Sequence, residues 1–246
     1  QMCIRDRACL PELRSQRPRS GIIHDFARGR SVPGDGRSFG LLGFTIPRET
    51  VVVQKGRNEM VYFSIDCEAS GQVPPQYNLL SIGATVVRHD NDHLVIVDSF
   101  YAELKPIFPG FDKAALAVCG LDVEPLRREG EEPEAAMRRL TEWVLKQNRG
   151  SGEYPVFVGH NAVFDWTYIS CYYSHFGLRN PFGYKGIDTK SLAMGRLGVG
   201  WNDTSKESLE RLLELPAQDP AQIHRADYDA WYQALILKSL LERSPA

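Results

Sequence analysis

Apolar and polar residues alternate strictly along Val61-Tyr62-Phe63-Ser64-Ile65-Asp66-Cys67-Glu68. That period predicts a strand with Val61, Phe63, Ile65 and Cys67 on one face, ended by Ala69-Ser70-Gly71. Leu80 to Val87 and Leu94 to Leu104 are two more β-rich runs, joined by the polar turn His89-Asp90-Asn91-Asp92-His93, so a β-meander opens the domain. Helices follow. Ala136, Leu140, Trp143 and Val144 fall at helical spacing between Pro133 and Asn148, ahead of Gly150. Pro155 to Val158 reads as a short buried strand, and Phe164, Tyr168, Tyr172 and Phe176 then recur every four residues as one face of a helix. Thr204-Ser205-Lys206-Glu207 reads as a capping box ahead of Leu209, Leu212 and Leu213, and Ala230, Ala234, Leu237 and Leu241 stripe a last helix. Two stretches read as loops: Asp122-Val123-Glu124 between Gly120 and Pro125, and the glycines 195, 198 and 200. Strands first, then alternating helices and strands, predict an α/β layered domain with a mixed central sheet flanked by helices.

Composition changes this picture in two places. With 43% hydrophobic and 24% charged residues in 246, the chain is an ordinary soluble one, without the ~20-residue apolar run of a membrane helix. Five cysteines at 3, 9, 67, 119 and 171, none in CxxC spacing, argue against a disulfide scaffold or zinc ribbon and fit a reducing cytoplasm. The net charge of -2 hides an asymmetry. Residues 1-59 carry ten Arg and one Lys against six acids, whereas residues 60-246 are strongly acidic. The first segment shows no sustained period and is expected to be a disordered or artefactual extension, with residues 60-243 forming the domain.

The chemistry sits where elements begin or end. Asp66 and Glu68, two apart on a strand, project their carboxylates from one face, close enough to share a metal ion. Asp165 falls on the first turn of an aromatic helix, where an inward acid is costly unless something positive meets it. His224 and Asp229 lie at the start of the last helix. His160 and Asn161 follow the short strand.

A strand D-x-E, then H-N-x-x-F-D at His160 to Asp165, then H-x4-D at His224 to Asp229 resembles the DEDDh branch of the 3'-5' exonucleases, over Met60 to Arg243. The resemblance implies an RNase H-like fold in which Asp66, Glu68, Asp165 and Asp229 bind two divalent ions and His224 is the general base. The sister branch has a tyrosine four residues before the last acid, where this chain has Arg225; Asp227 is the rival for the fourth ligand. Four converging carboxylates repel one another unless cations compensate them, and an oxygen-only donor set favours Mg²⁺ or Mn²⁺. Candidate contacts to the terminal nucleotide are the backbone at Ser70 and Gly71, the side chains of Leu80 or Tyr77, and His160 and Asn161. Ala69 departs from the threonine common in the family, and Gln72 to Asn78 lengthens the turn. The expected substrates are 3' ends of single-stranded DNA or RNA, or short oligonucleotides, with nucleoside 5'-monophosphates as products. A non-catalytic binding module of the same fold is the alternative, and a homodimer is one option for the assembly.

Overall fold

The computed structural model describes residues 60–243; the expected extension over residues 1-59 lies outside the described residues. The alternating segment forms β1 (Val61–Ala69), which pairs antiparallel with β2 (Leu79–Asp90), and β2 pairs antiparallel with β3 (His93–Glu103). At the β2–β3 turn Asn91 takes a left-handed φ of 55°, a conformation asparagine tolerates well. On its other side β1 pairs parallel with β4 (Val156–Gly159), and β4 pairs parallel with β5 (Gly186–Asp188), giving the mixed order β3-β2-β1-β4-β5. Parallel pairing brings the C-terminal ends of β1, β4 and β5 to one sheet edge, where α/β sheets place their sites.

The helices are α1 (Lys113–Cys119), α2 (Val123–Glu129), α3 (Pro133–Gln147), α4 (Val163–His175), α5 (Thr189–Leu197), α6 (Lys206–Leu212) and α7 (Ala226–Glu242), with a 3-10 turn at Trp201–Asp203. Three expectations are corrected. Asp122-Val123-Glu124 is not a loop: Asp122 caps α2 by accepting from the Glu124 N–H at 3.0 Å, and Gly120 ends α1 in a left-handed turn. Gly195 lies inside α5, and Gly198 ends that helix at φ 66°. The cap of α6 is Ser205 rather than Thr204, with its Oγ accepting from the Ser208 N–H. Short helices between glycine and proline carry too few turns to display a period, so the punctuation outweighed the pattern.

Both faces of β1 are buried. Phe63 and Ile65 pack with Met137 and Leu140 of α3 and with Tyr168 and Tyr172 of α4. The aromatic stripe of α4 is therefore core, and two of its hydroxyls bond the chain after β1, Tyr168 to Gly71 O and Tyr172 to Leu79 N, each at 2.8 Å. The polar-alternating face does not meet solvent. It lies under α7, where Tyr62, Val87 and Val158 pack on Ala234 and Leu237. At Gly83 the fit is so close that an added Cβ would stand 2.0 Å from the Ala226 carbonyl oxygen, so α7 can seat over β1 and β2 at that point because the side chain is missing. No helix among the described residues is long and apolar enough to cross a membrane.

Candidate active site

Three separate backbone devices bring the acids together. Asp66 and Glu68 end the buried α7-facing side of β1, with Asp66 opposite Gly83. After β4 the chain turns sharply at Asn161 (φ 65°), and Asp188 at the end of β5 accepts the Ala162 N–H at 2.8 Å, tying the start of α4 to the sheet edge. Asp165 then lies over β1 and accepts the Cys67 N–H at 2.8 Å. Before α7 the chain turns again at His224 (φ 69°), and Asp229 braces that turn by accepting the His224 N–H at 2.7 Å. Ligand atoms of Glu68, His224 and Asp229 consequently lie within 4.8 Å of one another.

Two further residues enter the cluster. Lys206, at the first position of α6, pairs its Nζ with Asp229 Oδ1 and stands 3.7 Å from Asp66 Oδ1. Gln233, one turn along α7 from Asp229, donates to Asp66 Oδ1. Periodicity held the signal for both: Lys206 sits three residues before Leu209 and seven before Leu213, and Gln233 three before Ile236, polar residues on apolar stripes.

Burial raises the pKa of Asp66, which Asp229 pushes further up and Lys206 pulls back. Glu68 and Asp165 are raised well above the usual carboxylate range, by burial first and then by the charge of Asp66. Burial would lower the Lys206 pKa, but Asp66 and Asp229 together outweigh it and hold the ammonium charged. His224 is lowered by burial and is therefore neutral at pH 7. Asp66 Oδ2, Glu68 Oε1 and His224 Nδ1 are buried with no hydrogen-bond partner. Orphaned carboxylate oxygens in a group of strained acids fit hard divalent cations, which take oxygen ligands.

The remaining candidates are placed differently. Leu80 is fully buried in a small cluster with Cys119 and Leu126. The Ser70 N–H donates to Asn78 O, and its hydroxyl to Gly110 O, both at 2.8 Å, so this backbone group serves the turn itself. Gly71 lies under the ring of Tyr77. His160 is 2% exposed and bonded to Thr189 Oγ1 at 2.8 Å, with burial holding its pKa well below the usual histidine value. Asn161 forms the turn into α4. Asp227 turns away to Arg225, 2.9 Å from its Nη2.

No family model matches the chain. It is 35% identical over 181 residues to the 3'-5' DNA exonuclease Cap18 of Escherichia coli, covering 72% of this chain and 90% of that protein. It is 28% identical over 171 residues to ribonuclease T of Shewanella frigidimarina, covering 67% and 75% respectively. Among solved structures, the nuclease domain of 3'hExo, a DEDDh family member bound to rAMP, superposes with a TM-score of 0.61 at 13% identity, over 75% of this chain and 92% of that one. The mixed five-stranded sheet with flanking helices is thus an RNase H-like fold. The chain belongs to the DEDDh-type 3'-5' exonucleases, hydrolases for which metal dependence is typical. Cap18 and ribonuclease T are the relatives it is similar to over most of residues 60–243.

Proposed function

We propose that residues 60-243 form a two-metal-ion exonuclease domain that trims 3' ends of single-stranded DNA or short oligonucleotides, releasing nucleoside 5'-monophosphates. The observation that carries this reading is the convergence of Asp66, Glu68, Asp165 and Asp229, from three distant parts of the chain, beside an imidazole. The four carboxylates are the ligand set. Mg²⁺ or Mn²⁺, when bound, supplies activation of the attacking water and charge stabilisation at the leaving 3' oxygen. His224, neutral at pH 7 with Nδ1 unpartnered, takes the proton from that water as general base. Asp165 is held by the Cys67 N–H and Asp66 by Gln233, so neither acid has to be oriented when substrate arrives.

DNA is favoured as substrate because the relative at 35% identity is a DNA exonuclease, against 28% for ribonuclease T. The acidic balance of residues 60-246 argues against tight binding of long duplexes, and fits short or frayed ends in a cytoplasmic setting. Product analysis on 5'-labelled and 3'-labelled DNA and RNA oligomers, with and without Mg²⁺ or Mn²⁺, tests the reading. Mononucleotides released stepwise from the 3' end in the presence of either ion are expected. Internal cuts, release from the 5' end, or full activity in EDTA would overturn it.

A further inference from the structure

Trp201 is a large apolar side chain that the fold holds outside its core. It is 49% exposed and joins none of the buried clusters among the described residues. Its backbone is nevertheless fixed: the Trp201 carbonyl accepts the Thr204 N–H at 3.3 Å and the Thr204 hydroxyl at 2.6 Å, and Thr204 is fully buried. The 3-10 turn that carries the ring ends at Asp203, and Lys206, paired with Asp229 and beside Asp66, follows three residues later. The indole therefore stands at the mouth of the acidic cluster. Tyr154 and Tyr184 are exposed as well, but they precede β4 and β5 and lie at the far ends of those strands from the site.

Lys190, in the first turn of α5, sets its Nζ 4.2 Å from the centre of the Trp201 ring and has no carboxylate partner among the described residues. α5 begins at the sheet edge that holds the acids, where Asp188 caps it and Thr189 bonds His160. The His160 pKa, lowered first by burial, is lowered further by the charges of Lys206 and Lys190, so both ammonium groups face this end of the sheet. With Lys190 over one face of the indole, the exposed area of the ring lies on its other face and its edge.

We propose, resting on the exonuclease reading above, that Trp201 and Lys190 form a subsite for the strand upstream of the scissile bond, the open face of the indole stacking on a base and the ammonium meeting a backbone phosphate. An aromatic face beside a cation holds single strands whatever their sequence, since every base has a π-face. In an acidic domain, an ammonium without an acid partner is a point of local attraction for phosphate. The scissile phosphate belongs at the acids. A ring on a solvent-facing turn outside them is reached by the nucleotides leading away from the site, not by the one being released. The fixed backbone at Trp201 means that little ordering is left to do when a base arrives. Such a grip holds the shortened strand after each cut, so longer strands gain affinity that a dinucleotide does not.

Steady-state kinetics of the full chain in Mg²⁺ test the assignment, on a thymidine dinucleotide and on an oligothymidylate of about 16 residues, the upper site size of a single-strand groove. The readout is the ratio of kcat/KM for the longer substrate to that for the dinucleotide. In Trp201→Ala this ratio should fall about tenfold, mainly through KM of the longer substrate, as expected for one stacked base, and Trp201→Phe should restore most of it. Lys190→Gln should make the slope of log kcat/KM against log salt shallower by about 0.7, the share of one single-strand phosphate, whereas Lys190→Arg should keep it. Neither side chain is part of the core, so the thermal midpoints should stay at the wild-type value. A wild type without preference for the longer strand, an unchanged ratio or equal losses on both substrates in Trp201→Ala, or an unchanged salt slope in Lys190→Gln would overturn the subsite. No turnover of either substrate by wild type would overturn the exonuclease reading itself.

Discussion

Gly83 sets how closely α7 approaches the acids, and Gly83→Ala should separate them. A Cβ there would stand 2.0 Å from the Ala226 carbonyl oxygen, 2.1 Å from its carbon and 2.4 Å from the Asp227 nitrogen. All three are backbone atoms in the first turn of α7, so no side-chain rotation relieves the clash. Real contacts do not fall below 3.0 Å, so the helix start must retreat by about 1 Å or the β2 backbone must yield as much. Overpacking of this kind costs about 1–3 kcal/mol, and at roughly 2–4 °C per kcal/mol the thermal midpoint should fall by several degrees. Asp229 lies three residues beyond Ala226 and moves with it, away from Glu68 and Lys206. A displacement of ~1 Å in a catalytic constellation costs about 100-fold in rate. The assay is kcat/KM on a single-stranded oligomer beside the thermal midpoint, with Gly195→Ala as control. Gly195 lies inside α5 with nothing within 4 Å of an added Cβ, so alanine there should stabilise by about 0.4–1 kcal/mol and leave activity alone. Wild-type kcat/KM in Gly83→Ala would refute the claim that the seating of α7 positions Asp229.

Other substitutions separate the cluster from its decoys. Asp66→Asn and Asp229→Asn should abolish nucleotide release in folded protein, whereas Asp227→Ala, losing only the pair with Arg225, should change stability by less than about 1 kcal/mol and keep activity; equal loss from Asp227→Ala in the same release assay would exclude Asp229 as the better fourth ligand. Asp122→Ala should cost about 1 kcal/mol in denaturant unfolding, through loss of the α2 cap, at unchanged kcat. Because burial lowers the His224 pKa, the imidazole is neutral at and above its ordinary value of about 6.5, and both activity and its share of stability should fall only as pH drops below that value. A kcat/KM profile whose acid limb turns above pH 6.5 would contradict that sign.

The long elements were legible because their periods run for many residues. β1 alternates over its full length, and Tyr168 and Tyr172 of the four-residue aromatic repeat lie on the buried face of α4, with Phe164 and Phe176 partly buried against the same core. The alternation of β1 gave its two faces but not what covers the polar one, because nothing local distinguishes a face turned to water from one covered by a helix 160 residues later. Seven-residue helices such as α1 and α2 complete too few turns to display a stripe, and β5 has three residues. Within the site, the acids and histidine were readable as motif residues at element ends. Lys206 and Gln233 were not singled out, since a capping box accounted for the first and the stripe of Ala230, Ala234, Leu237 and Leu241 passed over the second.

Those two residues expose a regularity that motif reading passes over. Asp66 and Glu68 interrupt a buried strand face, Lys206 the apolar stripe of α6, and Asp229 and Gln233 the buried side of α7. Each interruption alone would be expensive, since a buried polar or charged group without a partner costs more than its hydrogen bond returns. Interruptions on three elements are tolerable only if they meet, and they do: Lys206 answers Asp66 and Asp229, and Gln233 answers Asp66. Within the cluster Asp66 Oδ2, Glu68 Oε1, His224 Nδ1 and Gln233 Oε1 are still unanswered. Two of these are carboxylate oxygens, the donor type a hard divalent cation takes. In an α/β sheet with covered faces, polar breaks in several apolar stripes that can all reach one strand edge therefore locate a charged site, even where each break has an innocent local explanation.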